Sequence, residues 1–446
     1  MASAVIDVTT ENKQISSMSS QDYDVLSNNS ASMDNSLVQS PSIDSFSTFQ
    51  ETENLSELNM DENMDLCVKI DNPQKHLDTL ETYITFRLTT KVARIEFSEN
   101  EYIVRRRYND FIWLRQKLVE SYPTHIVPPL PGKHSLIGQL DRYSKDFILA
   151  RMKLLNIFMA RLVEHPILSC NEYFKVFLTA KQTEFTSYRK SQRNSIGKLP
   201  ESFQTISAMS NVKSRMIEFE KSRDYLHTLS EKLIMIEKIS NRINKERQDY
   251  IIELNNFYPV LSWWSTSEPH LAPLLQSMAN AVERTSAAQN DMVQQHNSVV
   301  TSPVREFMMY IDVVKDVLNK RDNYQILYEN SVEELMKKRT EKESLILACH
   351  NAVPTNANHF SIWRQQTSDQ KLEKLGIHIP QLIKQAESYQ DRLECANEAL
   401  RSDIARWHLE KQACLKKILV DFATKQIEYY EKAVAAWEKV ANECTC

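Results

Sequence analysis

The sequence predicts an α+β module, a three-stranded sheet with helices, followed by an all-α region of three long coiled-coil helices that pair into a dimer. Three observations carry this prediction. Residues 1–66 hold one base against twelve acids, a net −11, in a background of Ser, Asn, Asp and Thr. Residues 67–180 turn basic, with seventeen bases against twelve acids, and contain runs with the two-residue alternation of strands. From about residue 210 onward, apolar side chains recur every three or four positions. With 446 residues, the chain is long enough for two or three cores, and its net charge of −5 hides the basic module.

Residues 1–62 cannot bury enough apolar surface to offset their ordering entropy and are expected to form a disordered acidic tail. The second unit, residues 63–181, opens with strands at 66–70, 83–90 and 101–107. In the third, Tyr102 and Val104 face one way and Ile103 and Arg105 the other. A helix over 109–121 follows, with Asn109 and Asp110 at its start and Phe111, Leu114 and Leu118 on one side. YPTHIVPPLPGKHSLIG is too proline-rich for a helix and favours an extended crossing. A long helix over 141–163 carries Phe147, Leu154, Phe158 and Leu162 until His165-Pro166 ends it, and a short helix holds Phe174 and Phe177.

Residues 182–209 read as a polar, basic linker. Ile196, Leu199, Phe203, Ile206 and Met209 within it recur at the spacing of a short amphipathic helix. In the last unit, 210–446, Leu226, Leu229, Leu233 and Ile236 form one stripe. Val304, Phe307, Ile311, Val314 and Leu318 form a second, and Ala386, Tyr389, Leu393, Ala396 and Leu400 a third. Breaks at 262–273 and 350–360 cut the region into three helices, and one of about fifty residues would run roughly 75 Å. Three such helices leave an apolar flank, for which dimerisation is the economical solution. Trp407, Tyr429 and Trp437 are expected on that seam, and Pro303 is expected to kink the second helix.

The stretch that concentrates chemistry is EYIVRRRYNDFIWLR, residues 101–115. Arg105, Arg106 and Arg107 stand where a strand hands over to a helix, and a helix start with its unpaired N–H groups suits a phosphate. A solvated basic strand end fits these fifteen residues equally well. Four glycines in the whole chain argue against Gly-rich phosphate loops. No apolar run reads as a signal peptide or a transmembrane helix, so a membrane role would be peripheral. Seven scattered cysteines fit reduced thiols in the cytosol. The terminal Cys444-Thr445-Cys446 has the form of a double prenylation signal, though it reads better as an ordinary end. His125, His134, His165, His270 and His359 show no ligand spacing, and no nucleophile–base or paired-carboxylate set is present. The reading is a chain with no catalytic residues, no metal, no cofactor and no nucleic-acid partner.

RRRYNDF at 105–111, PPLPGK at 128–133 and Arg151 in DFILARMKLLNIF resemble the landmarks of the PX domain. ARWHLEKQACLKKILVDFATKQIEYYEKAVAAW at 405–437 resembles the closing helix of the BAR domain of sorting nexins. RRRYNDF, YPTHIVPPLPGK and HPILSCNEYFKVFLTA are most similar to the branch of sorting nexins 7 and 30. The resemblance implies that Arg107 clamps the 3-phosphate of phosphatidylinositol 3-phosphate and Tyr108 lies against the inositol ring. It further implies that Lys133 meets the 1-phosphate and Arg151 holds the ring hydroxyls. Leu136 and Ile137 would dip into the bilayer, and Lys337, Lys338 and Arg339 would touch the membrane at the tip of the BAR bundle. The implied function is curvature sensing or generation in endosomal sorting and tubular recycling, with a tie to autophagy-related trafficking. The implied place is the cytosolic face of early endosomes, and the implied partner is a related sorting nexin such as sorting nexin 4. The alternative is a coiled-coil adaptor whose PX-like module binds protein rather than lipid.

Overall fold

Strands β1 (Leu66–Leu77), β2 (Thr82–Val92) and β3 (Glu101–Arg107) pair antiparallel in the order β1-β2-β3. The structure is a computed structural model and describes residues 65–77, 82–132, 144–194, 216–350 and 359–443. The expected tail (1–62), Lys133, Leu136, Ile137, the Ile196–Met209 segment and the terminal cysteines lie outside those residues, as does most of the second helical break. β1 runs past the expected residue 70, to Leu77, because Asn72 and Pro73 are absorbed in a bulge. The register slips there, between Asp71 and Gln74, and Asn72 takes a φ of 44°.

One sheet face supplies Leu66, Ile70, Phe86, Leu88 and Val104 to a core closed by helices α1 (Tyr108–Ser121), α2 (Lys145–Glu164) and α3 (Glu172–Thr179). α2 begins at Lys145, where the Ser144 hydroxyl accepts the Phe147 N–H at 3.3 Å, four residues later than expected. Asn156 on α2 is buried against the β1 backbone. Its Oδ1 accepts the Ile70 N–H and its Nδ2 donates to the Ile70 carbonyl, both at 2.8 Å.

The segment read as a linker from 182 begins instead with a helix, α4 (Gln182–Asn194). Its polar surface hides two anchors. Phe185 is buried edge-on to Trp113, and Arg189 pairs with the buried Asp110. Two aromatics, Phe185 and Tyr188, among polar and basic residues are too little periodicity to announce a docked helix, but with Arg189 they are enough to hold one.

The helical region comprises α5 (Ile217–Ser267), α6 (Ala272–His296), a π-helical turn (Asn297–Thr301), α7 (Ser302–His350) and α8 (His359–Glu443). The π turn ends two residues before Pro303, which has no N–H to continue a regular ladder, so a local irregularity stands beside the site where a kink was expected. Pro259 and Pro380 lie inside α5 and α8. The stripe Val304, Phe307, Ile311, Val314 and Leu318 is wholly buried against α5 and α8. Trp407 departs from expectation. It is buried within one chain, stacked on Phe307 at 5.8 Å, and so belongs to the bundle's own core rather than to a seam with a second chain. No described helix is long and apolar enough to cross a membrane.

The two modules meet through buried charge. Arg161, on the last turn of α2, forks onto Glu306 of α7 with its Nη2–Oε2 arm at 3.2 Å, and its Nε lies 3.3 Å from Glu410 of α8. One helical turn further on, His165 Nε2 lies 3.2 Å from Asp403 Oδ1 on α8.

Candidate functional site

Strand alternation sorts the three consecutive arginines. Arg106 points into the core, where its Nε donates to the Phe177 carbonyl at 3.0 Å and its guanidinium lies 4.2 Å from the Phe185 ring centre. Its amino groups also donate to the carbonyls of Arg105 and Ala180. Burial lowers its pKa to about 10. Arg105 faces the other side and spans the β1 bulge, donating to Thr85 Oγ1 at 3.0 Å and to the Asn72 carbonyl at 2.7 Å. Both residues therefore build the fold, and the basic run offers one outward cation, not three.

That cation is Arg107. It is the N-cap of α1, and its backbone N–H donates to Asp110 Oδ2 at 2.9 Å. The helix therefore starts one residue earlier than expected, with Asp110 at the third helical position as the capping acid. Asp110 is nearly fully buried between Arg107, whose Nε is 3.9 Å away, and Arg189. One carboxylate facing two guanidiniums leaves a net positive charge at the helix start. The Arg107 side chain remains about 39 % exposed and lies over the Tyr83 ring at 5.6 Å.

Tyr108 follows on the first turn. Its hydroxyl donates to the Pro131 carbonyl, and its ring carries the Arg151 guanidinium of α2 at 4.3 Å. The same guanidinium lies 4.4 Å from Phe147, one helical turn earlier. Burial raises the Tyr108 pKa and lowers that of Arg151. Arg115 reaches across from α1 to the Pro128 carbonyl at 2.8 Å, fixing the proline crossing beside the site. The described part of the expected quartet, Arg107, Tyr108 and Arg151, is thus gathered from the β3–α1 junction and from α2. Two guanidiniums beside an aromatic ring at a helix start suit a phosphorylated, hydroxylated ring. Tyr83 was not singled out from the sequence, and Phe147 was read only as part of the apolar side of its helix. Phe147 carries a readable signal, four residues before Arg151, whereas Tyr83 requires the β2–β3 register, Thr85 opposite Arg107.

At the far end of α7, Lys337 and Lys338 are engaged with Glu333 and Glu341 at 2.8 and 2.9 Å, and Arg339 is exposed. Surface pairs of this kind are worth about 0–1 kcal/mol and open readily towards an anionic surface.

Among the described residues, one group has metal-ligand character: atoms of His125, His165 and Asp403 lie within 4.8 Å of one another. Its chemistry is that of a hydrogen-bonded joint. His165 Nδ1 accepts the N–H groups of Ile167 and Leu168 at 3.2 and 3.1 Å, so the ring proton sits on Nε2, aimed at Asp403. A proton on the nitrogen a metal would need, and the Arg406 guanidinium on the same carboxylate, disfavour a cation there. Burial works against the Asp403 charge, but hydrogen bonds from His125, His165 and the Ile126 N–H hold its carboxyl well below the usual range. Separations of 278 and 238 residues hid both histidine contacts from sequence reasoning.

Residues 94–181 match the family described as PX domain, and residues 195–443 the family described as Vps5 C terminal like. Sorting nexin-30 of Mus musculus is 37 % identical over 391 residues, covering 86 % of this chain and 80 % of that protein. Sorting nexin-7 of Homo sapiens is 34 % identical over 85 % of this chain and 89 % of its own length. A cryo-EM structure of the SNX-BAR Mvp1 tetramer shares the fold at a TM-score of 0.53 and 19 % identity, over 84 % of this chain and 99 % of that one. A phosphate-suited site on an α+β module joined to a long helical bundle, with relatives of this identity along most of its length, places this chain in the sorting nexin family of PX- and BAR-containing membrane-trafficking proteins.

Proposed function

We propose that this chain binds phosphatidylinositol 3-phosphate on the cytosolic face of early endosomes as a peripheral membrane protein, and that a dimeric bundle senses or imposes curvature there during tubular recycling. The carrying observation is the arrangement at the start of α1. Arg107 caps the helix with its guanidinium outward, and Arg151 lies over the neighbouring Tyr108 ring. Arg107 would clamp the 3-phosphate in a bidentate pair, Tyr108 would face the ring, and Arg151 would take the hydroxyls. Lys133 would meet the 1-phosphate, while Leu136 and Ile137 would enter the bilayer beside it. Lys337, Lys338 and Arg339 would add contacts at the bundle tip.

Exposed apolar residues on α5 and α8 support the dimer. Ile243, Phe257 and Trp263 on the first, with Leu419, Ile427 and Val434 on the second, are each at least 44 % exposed, which a stable lone bundle would not leave open. The favoured partner is a related sorting nexin, sorting nexin 4 foremost. The adaptor reading, with protein in place of lipid, would have no use for a helix-start guanidinium held outward.

Co-sedimentation tests the function directly. The full chain is expected to pellet with vesicles containing phosphatidylinositol 3-phosphate. It should stay in the supernatant with phosphatidylinositol alone, at surface charge matched by phosphatidylserine. Equal pelleting with both would replace headgroup recognition by general charge attraction.

A further inference from the structure

We propose that Asp403, on α8 of the helical region, is a positioning residue for the headgroup site. It holds the crossing over residues 125–131 so that Pro131 stands against Tyr108. This inference rests on the headgroup reading above.

The crossing has few backbone donors because Pro128, Pro129 and Pro131 have none. The Ile126 N–H donates to Asp403 Oδ2 at 2.7 Å, and His125 Nδ1 lies 3.1 Å from the same oxygen. The upstream end of the crossing is therefore held by the other module. Downstream, Arg115 takes the Pro128 carbonyl at 2.8 Å, and the Tyr108 hydroxyl takes that of Pro131. Residues 126–129 and 131 are buried, and three prolines restrict the backbone between the two anchors. A strut this stiff passes a displacement at Ile126 on to Pro131, and from there to the Tyr108 ring that carries Arg151. Arg406 and His165 engage the other carboxylate oxygen and keep Asp403 aimed. The headgroup site is thus completed by the bundle, and the PX module and α8 act as one binding unit.

Soluble dibutanoyl phosphatidylinositol 3-phosphate, titrated calorimetrically into the full chain, removes avidity from the readout. Asp403→Ala is expected to weaken binding about three- to tenfold. Asp403→Asn keeps an oxygen for the Ile126 N–H and should recover roughly half of that loss. Glu306→Gln weakens the other joint between the modules by removing its charge, leaves Arg161 its Glu410 contact, does not touch the crossing, and should leave affinity within about twofold. Unchanged affinity in Asp403→Ala, while Arg107→Ala abolishes binding, would overturn the inference and leave the headgroup reading standing. An equal loss in Glu306→Gln would also overturn it, by assigning the effect to docking in general. No binding by the unaltered chain would remove the headgroup reading and this inference together.

Discussion

Arg107→Ala is expected to lower affinity for vesicles containing phosphatidylinositol 3-phosphate by about ten- to a hundred-and-fifty-fold, with the melting temperature unchanged. The size follows from losing one charge-assisted contact to phosphate, about 1.5–3 kcal/mol. Retention of the fold follows from what Arg107 does locally. Its capping contact to Asp110 uses the backbone N–H, which alanine keeps, and Arg189 remains to neutralise that carboxylate. The adjacent arginine supplies the contrast. Arg106→Met would leave the carbonyls of Phe177 and Ala180 without their donor and so lower stability, whatever happens to lipid. Vesicle co-sedimentation beside a circular dichroism melt separates the two outcomes. Normal pelleting of Arg107→Ala would remove Arg107 from the site.

Trp407→Ala is expected to cost about 3–5 kcal/mol, the range for truncating a fully buried large aromatic. Its ring is stacked on Phe307 at 5.8 Å with an interplanar angle of 18° and sits edge-on to Tyr310 at 6.4 Å, at the contact of α7 with α8. The indole N–H has no hydrogen-bond partner among the described residues, so Trp407→Phe gives up little polar energy and should be much milder than the alanine variant. Urea unfolding followed at a helical circular dichroism band reads both. Equal midpoints for Trp407→Ala and the unaltered chain would show that this aromatic contact does not hold the bundle.

The same two regions show how far the sequence could be read. Alternation before Arg107 and three- or four-residue spacing after it placed the strand–helix junction to within a residue. Buried stripes such as Val304 to Leu318 announced the α7 contact because nothing but packing selects that period. Local chemistry misled where tertiary contacts decided. β1 was expected to end at residue 70 and instead passes through a bulge at Asn72 and Pro73. The stretch after residue 182 looked like a linker, yet Phe185 and Arg189 dock it. Trp407 was readable as a helix-face aromatic, but its spacing could not say whether its partner was Phe307 of the same chain or a residue of a second one. The joint around Asp403 was invisible, because it brings together residues more than 200 positions apart. In the proposed headgroup site, Arg107, Tyr108 and Arg151 were legible from a motif, while Tyr83 needed the sheet register.

The central claim is that a paired bundle presents two headgroup sites to one membrane, raising avidity by about 10²–10⁴ over a single site. Light scattering on the purified full chain, alone and co-expressed with sorting nexin 4, tests this most directly. The expected result is a particle of about twice the 52.0 kDa of one chain, formed with itself or with the relative. A stable 52.0 kDa particle in both samples would mean that the apolar faces of α5 and α8 close without a partner, contradicting the paired-bundle account.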